Sequence, residues 1–576
     1  MRAWLALALF LLAARAGAAT LEYRVEIDAP APLAKLLERL SLLRWRSDPD
    51  MTAERLHRLV DEAAFEARQA AATEGYFSAR VSSSIDESAE PWVVRLRVEP
   101  GGRTRVDEVD IRFTGPVTGD GEARPILERV RQNWRLRRGQ PFRQDDWDAA
   151  KRAAVRELAG WRYAAASLAS SEARIDPKTE RARLTVELAS GPPFRMGEIH
   201  VTGTQRYPPA LVVNLAPFRQ GDVYERDKLL LYQQRLLESG YFASVQAEID
   251  ADPALAAAAP LNVGVLEANS QRVEGGVSYN TDVGPRVELR YSNSNIFDTP
   301  WRLRNSLQLD RKIKDLRLDF DSPPRPGAVW ENYFAQAKEQ DIQGELTRQL
   351  TAGVSHNFAF GPTPAALVVS GTSEDQRIGE EFSDTRFAVY FGARRQLRRT
   401  DSLVLPQRGY VGTVEVGGAP QFLSSRAFLR GLASATLFFP VGRSGDLVLR
   451  GQAGAVLSNE LEGIPSNFLF RTGGDQTVRG YAFESLGVQQ GSAIVGGRRL
   501  LVGSVEYIYW VSDVWGIAAF ADAGDAWDAG LRPDKLARGY GLGGRFRTPI
   551  GPVRADVAYG ERTGEFRLHF SVGYSF

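Results

Sequence analysis

The chain has 576 residues with 72 Lys+Arg against 71 Asp+Glu, a net charge of +1, so the basic footprint of a nucleic-acid-binding protein is absent. It contains no Cys, which excludes disulfide frameworks, thiolate nucleophiles and Cys-ligated zinc, and its four His, at 57, 200, 356 and 569, form no close pair for a metal. With 43% apolar and 25% charged residues, a chain of this length builds several folded domains.

In chain order, the one long apolar run is Ala3 to Ala14, set between Arg2 and Arg15 and too short to span a bilayer as a helix. A charged start, an apolar run and small residues from Ala16 to Ala19 read as a secretory signal peptide, residues 1–19, with cleavage near residues 18–20. An exported chain with no further apolar helix is either soluble outside the cytoplasm or embedded as a β-barrel, because only helices and closed barrels satisfy their backbone groups in lipid.

Three copies of one unit follow, at residues 20–100, 101–189 and 190–268. Each contains a helix that ends in Gly and an aromatic residue: Gly75-Tyr76-Phe77, Gly160-Trp161 and Gly240-Tyr241-Phe242. Gly75, Gly160 and Gly240 suit the left-handed position that stops a helix. Around them the order is strand, helix, helix, strand, strand. The first unit reads as Leu21 to Ile27, Pro32 to Leu43, Thr52 to Thr73, Ala79 to Ile85 and Trp92 to Val98, and the second and third repeat it. This pattern resembles polypeptide-transport-associated (POTRA) domains, although generic α+β modules of this size share the order.

From about Val273 (residues 269–576) helical periodicity gives way to alternation. Leu447, Leu449, Ala453, Ala455 and Leu457 occupy one parity, with Arg450 and Gln452 on the other. Soluble sandwiches and propellers also alternate, but charges on the second face suit a wet lumen, and the remaining length supplies about 16 antiparallel strands. At the end of the chain Phe566, Leu568, Phe570, Val572, Tyr574 and Phe576 share a parity against Arg567, His569, Ser571, Gly573 and Ser575. Six apolar side chains on a soluble edge strand would invite aggregation. The expected architecture is therefore α+β repeats followed by an all-β transmembrane barrel.

Four stretches within the barrel carry a family resemblance. They are Gly473-Gly474-Asp475-Gln476-Thr477-Val478-Arg479-Gly480-Tyr481, Asp401 through Pro406-Gln407-Arg408-Gly409-Tyr410, Phe520-Ala521-Asp522-Ala523-Gly524 and Thr548-Pro549-Ile550-Gly551-Pro552-Val553-Arg554-Ala555-Asp556. With the terminal Phe576, which resembles a C-terminal assembly signal, they are similar to the Omp85 superfamily of outer-membrane proteins. The resemblance implies that Val478, Arg479, Gly480 and Tyr481 form the tip of a loop folded into the lumen. It also implies that Arg479 pairs with Asp522 and Glu506 on the inner wall.

Three POTRA-like units set the chain apart from superfamily members with five units and from two-partner secretion transporters with two. The implied work is assembly of outer-membrane β-proteins such as autotransporters. Expected partners are unfolded substrates, membrane lipid and an inner-membrane-anchored protein at the periplasmic units; the alternative is a secretion pore for an unfolded partner. Backbone chemistry suggests a lateral seam. The first strand, with Val273, Gly275, Gly276, Val277 and Tyr279, must meet the last, Phe566 to Phe576, and two glycines leave few side chains for cross-strand contacts. Gly541-Leu542-Gly543-Gly544 is not followed by a helix, and no catalytic motif occurs, so neither an enzyme nor a cofactor or metal is expected.

Overall fold

A computed structural model describes residues 21–572 apart from 362, 380, 383–384, 403–405, 443, 529, 531–534 and 549–550. The signal-peptide segment, Pro549-Ile550, Tyr574 and Phe576 lie outside the described residues. Two compact units result: one comprises residues up to His200 with Arg219–Leu230 and Glu248–Asn262, the other Val201–Phe218, Leu231–Ala247 and Val263–Phe576.

In the first module, strand Trp92–Glu99 lies between Tyr23–Asp28, to which it is parallel, and Arg80–Asp86, to which it is antiparallel. Helix Ala53–Thr73 covers this sheet because its small and apolar residues recur every three or four positions: Leu56, Val60, Ala63, Ala67 and Ala71 are all buried. Thr52 starts the helix, its hydroxyl accepting the Arg55 N–H at 3.3 Å. The expected helix from Pro32 to Leu43 is instead two, Ala31–Leu37 and Ser41–Arg44, because Leu40 adopts an extended ψ of 148° between them.

The second module repeats the arrangement, with Arg105–Thr114 parallel to Arg181–Ala189 and Ser167–Asp176 antiparallel to it. Its core gathers Trp134, Phe142, Trp147, Leu158 and Tyr163 against Leu184 and Leu188. The third sheet has the same strand order, Met196–Thr202, Ala259–Glu267, Phe242–Ile249.

The helix-ending glycines do not behave alike. Gly75 (φ +93°) and Gly240 (φ +77°) are left-handed, but Gly160 is not, and Arg162 carries the positive φ of +60° two residues later. The Gly160 N–H continues the helix with a tight turn to Glu157 O, so the reversal is delayed until Arg162. Gly75 is required twice over, since a Cβ there would lie 2.3 Å from the Phe142 carbonyl oxygen.

The barrel strands are β1 Gln271–Asn280, β2 Gly284–Asn293, β3 Arg302–Leu309, β4 Ile313–Asp321, β5 Trp330–Ile342, β6 Glu345–Phe360, β7 Thr363–Ile378 and β8 Arg386–Thr400. They continue as β9 Gly409–Ala419, β10 Phe428–Val441, β11 Gly445–Leu457, β12 Arg499–Trp510, β13 Trp515–Trp527, β14 Ala537–Thr548, β15 Gly551–Gly560 and β16 Glu565–Val572. Each pairs antiparallel with its neighbours, and β16 returns to β1. The alternation that marks the sequence is the alternation of surfaces: Val505, Tyr507 and Tyr509 face outward, and Ser504 and Glu506 face in. No helix among the described residues is long and apolar enough to cross a membrane. On the barrel's module side, Tyr207 Oη lies 2.8 Å from Ser294 Oγ, the Tyr241 hydroxyl donates to Pro300 O at 2.6 Å, and the Asn214 amide donates to Pro324 O at 2.9 Å.

Candidate functional site: a lumen loop beside a barrel seam

The connection from β11 to β12, residues 458–498, folds back into the barrel. Ile464, Phe468, Phe470, Val478, Tyr481 and Leu486 of this loop pack on Tyr390, Phe428, Val456 and Val502 of the inner wall. The Phe468 ring lies 5.0 Å from both Tyr390 and Phe428. This apolar plug escaped the sequence reading, because the loop has no periodicity to betray which residues turn inward. A polar anchor adjoins it: Arg471 meets Glu345 at 2.7 Å, and Ser466 donates to Glu374 through its N–H at 2.9 Å and its hydroxyl at 2.5 Å.

Arg479 holds the loop tip to the wall formed by β12 to β15. Arg479 is 2% exposed, and its guanidinium makes a bidentate pair with Asp522, Nε to Oδ2 at 2.7 Å and Nη2 to Oδ1 at 2.8 Å. Nη1 reaches Glu506 Oε2 at 2.6 Å and Asp556 Oδ2 at 3.4 Å, and the guanidinium carbon stands 3.3 Å from the centre of the Phe520 ring. Arg545 bridges Glu506, at 2.9 Å, and Asp556, at 2.5 Å, while Arg450 donates to Glu506 at 2.7 Å. Three guanidiniums thus meet three carboxylates in a buried cluster, with the Arg554 guanidinium of β15 close to Glu506 and Asp556 as well. Removing one partner of such a buried pair leaves the other with its desolvation cost unmet.

Glycines make room for this packing. A Cβ at Gly539 would lie 1.9 Å from Arg479 O, and one at Gly543 would lie 1.7 Å from Asp556 Oδ1. At the tip, Gly480 has φ +91° and approaches Gly560 so closely that a Cβ would stand 2.7 Å from its nitrogen. Val478 is 0% exposed. The Tyr481 hydroxyl donates to Arg538 O at 2.9 Å and accepts the Arg562 N–H at 3.0 Å.

Asp556, Arg545 and Arg450 were absent from the sequence-derived site. Asp556 lies in one of the motif stretches, and the inward parity shared by Gly539, Gly541 and Gly543 signalled a wall against which something packs. His569 was also missed: buried on β16, its Nε2 accepts the Gly480 N–H at 3.0 Å.

The seam residues fall differently from the expected face-to-face match. Among the described residues β1 and β16 share one register pair, Asn280 with Ser571. Continuing that antiparallel register sets Val572 beside Tyr279 and His569 beside Asp282. Phe566, Leu568 and Phe570 therefore project past the end of β1 rather than facing Val273 to Tyr279, because the strands meet with a stagger. Val273, Val277, Tyr279, Phe566 and Leu568 are exposed on the outer surface, and a Cβ at Gly275 or Gly276 would meet nothing within 4 Å.

Comparison with known proteins agrees with this architecture. Residues 268–576 match the Omp85 superfamily domain, residues 194–267 a POTRA family described as a surface antigen variable number repeat, and residues 28–100 the POTRA domain TamA domain 1. The outer membrane protein assembly factor BamA of Nitratidesulfovibrio vulgaris is 23% identical over 530 residues, covering 87% of this chain and 66% of its own. BamA of Neisseria meningitidis serogroup B is also 23% identical, over 566 residues, covering 84% and 68%. The chain thus spans about two thirds of the length of these relatives. Outer envelope protein 80 of Arabidopsis thaliana chloroplasts is 33% identical over 335 residues, 52% of this chain and 44% of its own. The crystal structure of Haemophilus ducreyi BamA lacking POTRA domains 1–3 superposes with a TM-score of 0.55 at 14% identity, covering 82% of this chain and 100% of that one, which shows a shared fold.

Proposed function

The chain belongs to the Omp85 superfamily, and from that premise we propose that it assembles outer-membrane β-proteins, autotransporters among them, by strand addition at the seam between β1 and β16. Its barrel lies in the outer membrane and its POTRA modules lie in the periplasm. The observation that carries the proposal is the make-up of the first strand at this joint: β1 meets β16 at Asn280 and Ser571, and it carries Gly275 and Gly276, where a Cβ would meet nothing within 4 Å, so it offers few side-chain contacts across the seam. In lipid every unpaired N–H and C=O group is costly, so a seam with few side-chain contacts, held by backbone groups that any strand can supply, is where a foreign strand replaces the barrel's own at least expense. The incoming strand supplies the backbone groups that an opened edge lacks, and no nucleotide is needed.

A more specific reading is a TamA-type subunit, supported by the match of residues 28–100 to the first TamA POTRA domain. With it comes a TamB-like protein anchored in the inner membrane as the partner of the periplasmic modules. The test is a disulfide between Asn280→Cys and Ser571→Cys, whose backbones are register partners in a chain with no native Cys. Oxidation should abolish autotransporter insertion while the barrel keeps its heat-shifted mobility on gels, and reduction should restore it. Full insertion by the locked barrel would overturn the proposal. A two-partner-secretion-type pore would tolerate the lock and would instead conduct ions once the loop is released by Arg479→Ala.

A further inference from the structure

Outside the guanidinium cluster, two residues tie the loop tip to both edges of the seam. On the β16 side, the His569 ring is 2% exposed and its Nε2 accepts the Gly480 N–H. A ring nitrogen that accepts carries no proton, so in a neutral imidazole the proton sits on Nδ1. That atom faces Oδ2 of Asp282 at 3.5 Å, long for a hydrogen bond, with no closer acceptor among the described residues. On the β1 side, Asp282 lies in the turn between β1 and β2, and the same Oδ2 accepts the Asp475 N–H at 3.0 Å. Gly474 packs there too, since a Cβ on it would lie 2.9 Å from that oxygen.

The loop therefore grips β16 through Gly480 and the β1 turn through Asp475. The distance between the two grips is set by the tip itself, where the Gly474 N–H donates to Val478 O at 3.2 Å and the Gly473 N–H to Thr477 Oγ1 at 2.9 Å. A tip of fixed span cannot keep both grips if β1 and β16 part. We infer that Asp282 and His569 are positioning residues that form a latch, coupling loop docking to seam closure. Opening the seam breaks one grip and loosens the loop; withdrawing the loop removes the bridge and leaves the seam to its own strand contacts. His569 Nδ1 and Asp282 Oδ2 face each other 3.5 Å apart across the same joint, so parting β1 from β16 separates them together with the two grips. The inference rests on the seam reading above but is tested without any substrate.

The test uses the purified full chain in detergent, where introduced cysteines are the only thiols. Val478→Cys reports loop release by maleimide labelling, and the pair Asn280→Cys, Ser571→Cys reports seam closure by its rate of disulfide formation. With all three present, oxidising the seam pair first should protect Cys at 478 about tenfold, resolved by peptide mass spectrometry, the size expected from a bond that reforms only when the seam is shut. His569→Asn keeps a donor toward Asp282 but does not reach Gly480, so it should raise labelling and slow disulfide formation together, each about tenfold. His569→Gln, whose amide extends to the Nε2 position, should restore both. Equal labelling with the seam open or locked, a His569→Asn effect on the loop alone, or identical Asn and Gln variants would overturn the latch. If His569→Asn loses its heat-shifted mobility, Asp282→Asn carries the same two reporters. Uncoupled reporters alongside seam-dependent insertion would refute the latch only, whereas insertion by a locked barrel would refute the assembly reading only.

Discussion

The β12 to β15 wall and the β16 to β1 junction lie on either side of one loop tip and are built by opposite means. The wall sets three carboxylates and a row of glycines around Arg479, with Arg545 of β14 and Arg450 of the neighbouring β11 paired to the same carboxylates, and β14 and β15 are joined by ten register pairs. The junction offers bare glycines on β1 and a single histidine on β16. Side-chain chemistry is concentrated where the loop must stay, and the junction is left to backbone bonds, which any strand can supply. A barrel that needs to open in one place gains from such asymmetry, since a uniformly strong wall would offer no preferred site of parting.

The largest effect on this contrast should come from Arg479→Ala. It strips the wall of its central cation and leaves Asp522 buried without its partner, at a cost of roughly 3–5 kcal/mol, which should show as a reduced heat-shifted fraction on gels and a protease-sensitive loop. Arg479→Lys should recover only part of this, because an ammonium cannot make the bidentate pair. Next is Gly539→Ala, which places a methyl group where the Arg479 carbonyl sits; a cost of roughly 1–3 kcal/mol is expected, measured as lowered midpoint of thermal unfolding in detergent, with the three carboxylates untouched. The smallest effect should be at the junction: Gly276→Val adds a β-branched side chain on β1 and should tighten the seam by about 0.2–1 kcal/mol, slowing insertion of substrate while leaving the loop protected. If Gly276→Val loosened the loop instead, the division of labour between wall and junction would be wrong.

How much of this was legible in the sequence depended on whether the determining interactions were local. The modules were legible because a helix such as Ala53–Thr73 writes its buried face into residues three and four apart, and the barrel because each strand writes its two surfaces into alternate residues. Local signals failed where two structures fit the same residues. Gly160 has the composition of a left-handed helix stop, yet the reversal falls at Arg162, since the tight turn at Gly160 defers it. The pairing of Arg479 with Asp522 was accessible through motif resemblance. The roles of Arg545, Asp556 and His569 were not, because strand register and loop path, rather than spacing along the chain, bring residues 282, 480 and 569 together. His569 was visible only as a lone histidine on an inward parity, and its meaning came from the stagger that sets it beside Asp282.

The central claim is that a substrate strand pairs with the edge of β1, and a photo-crosslinking residue at Val277, exposed on the outer face of that strand, tests it most directly. During autotransporter assembly the account predicts crosslinks from Val277 to the terminal strand of the substrate, absent when the Asn280→Cys, Ser571→Cys pair is oxidised. Crosslinks confined to a probe in the lumen, at Arg450, with none at Val277, would show that substrate passes through the barrel instead of through its seam.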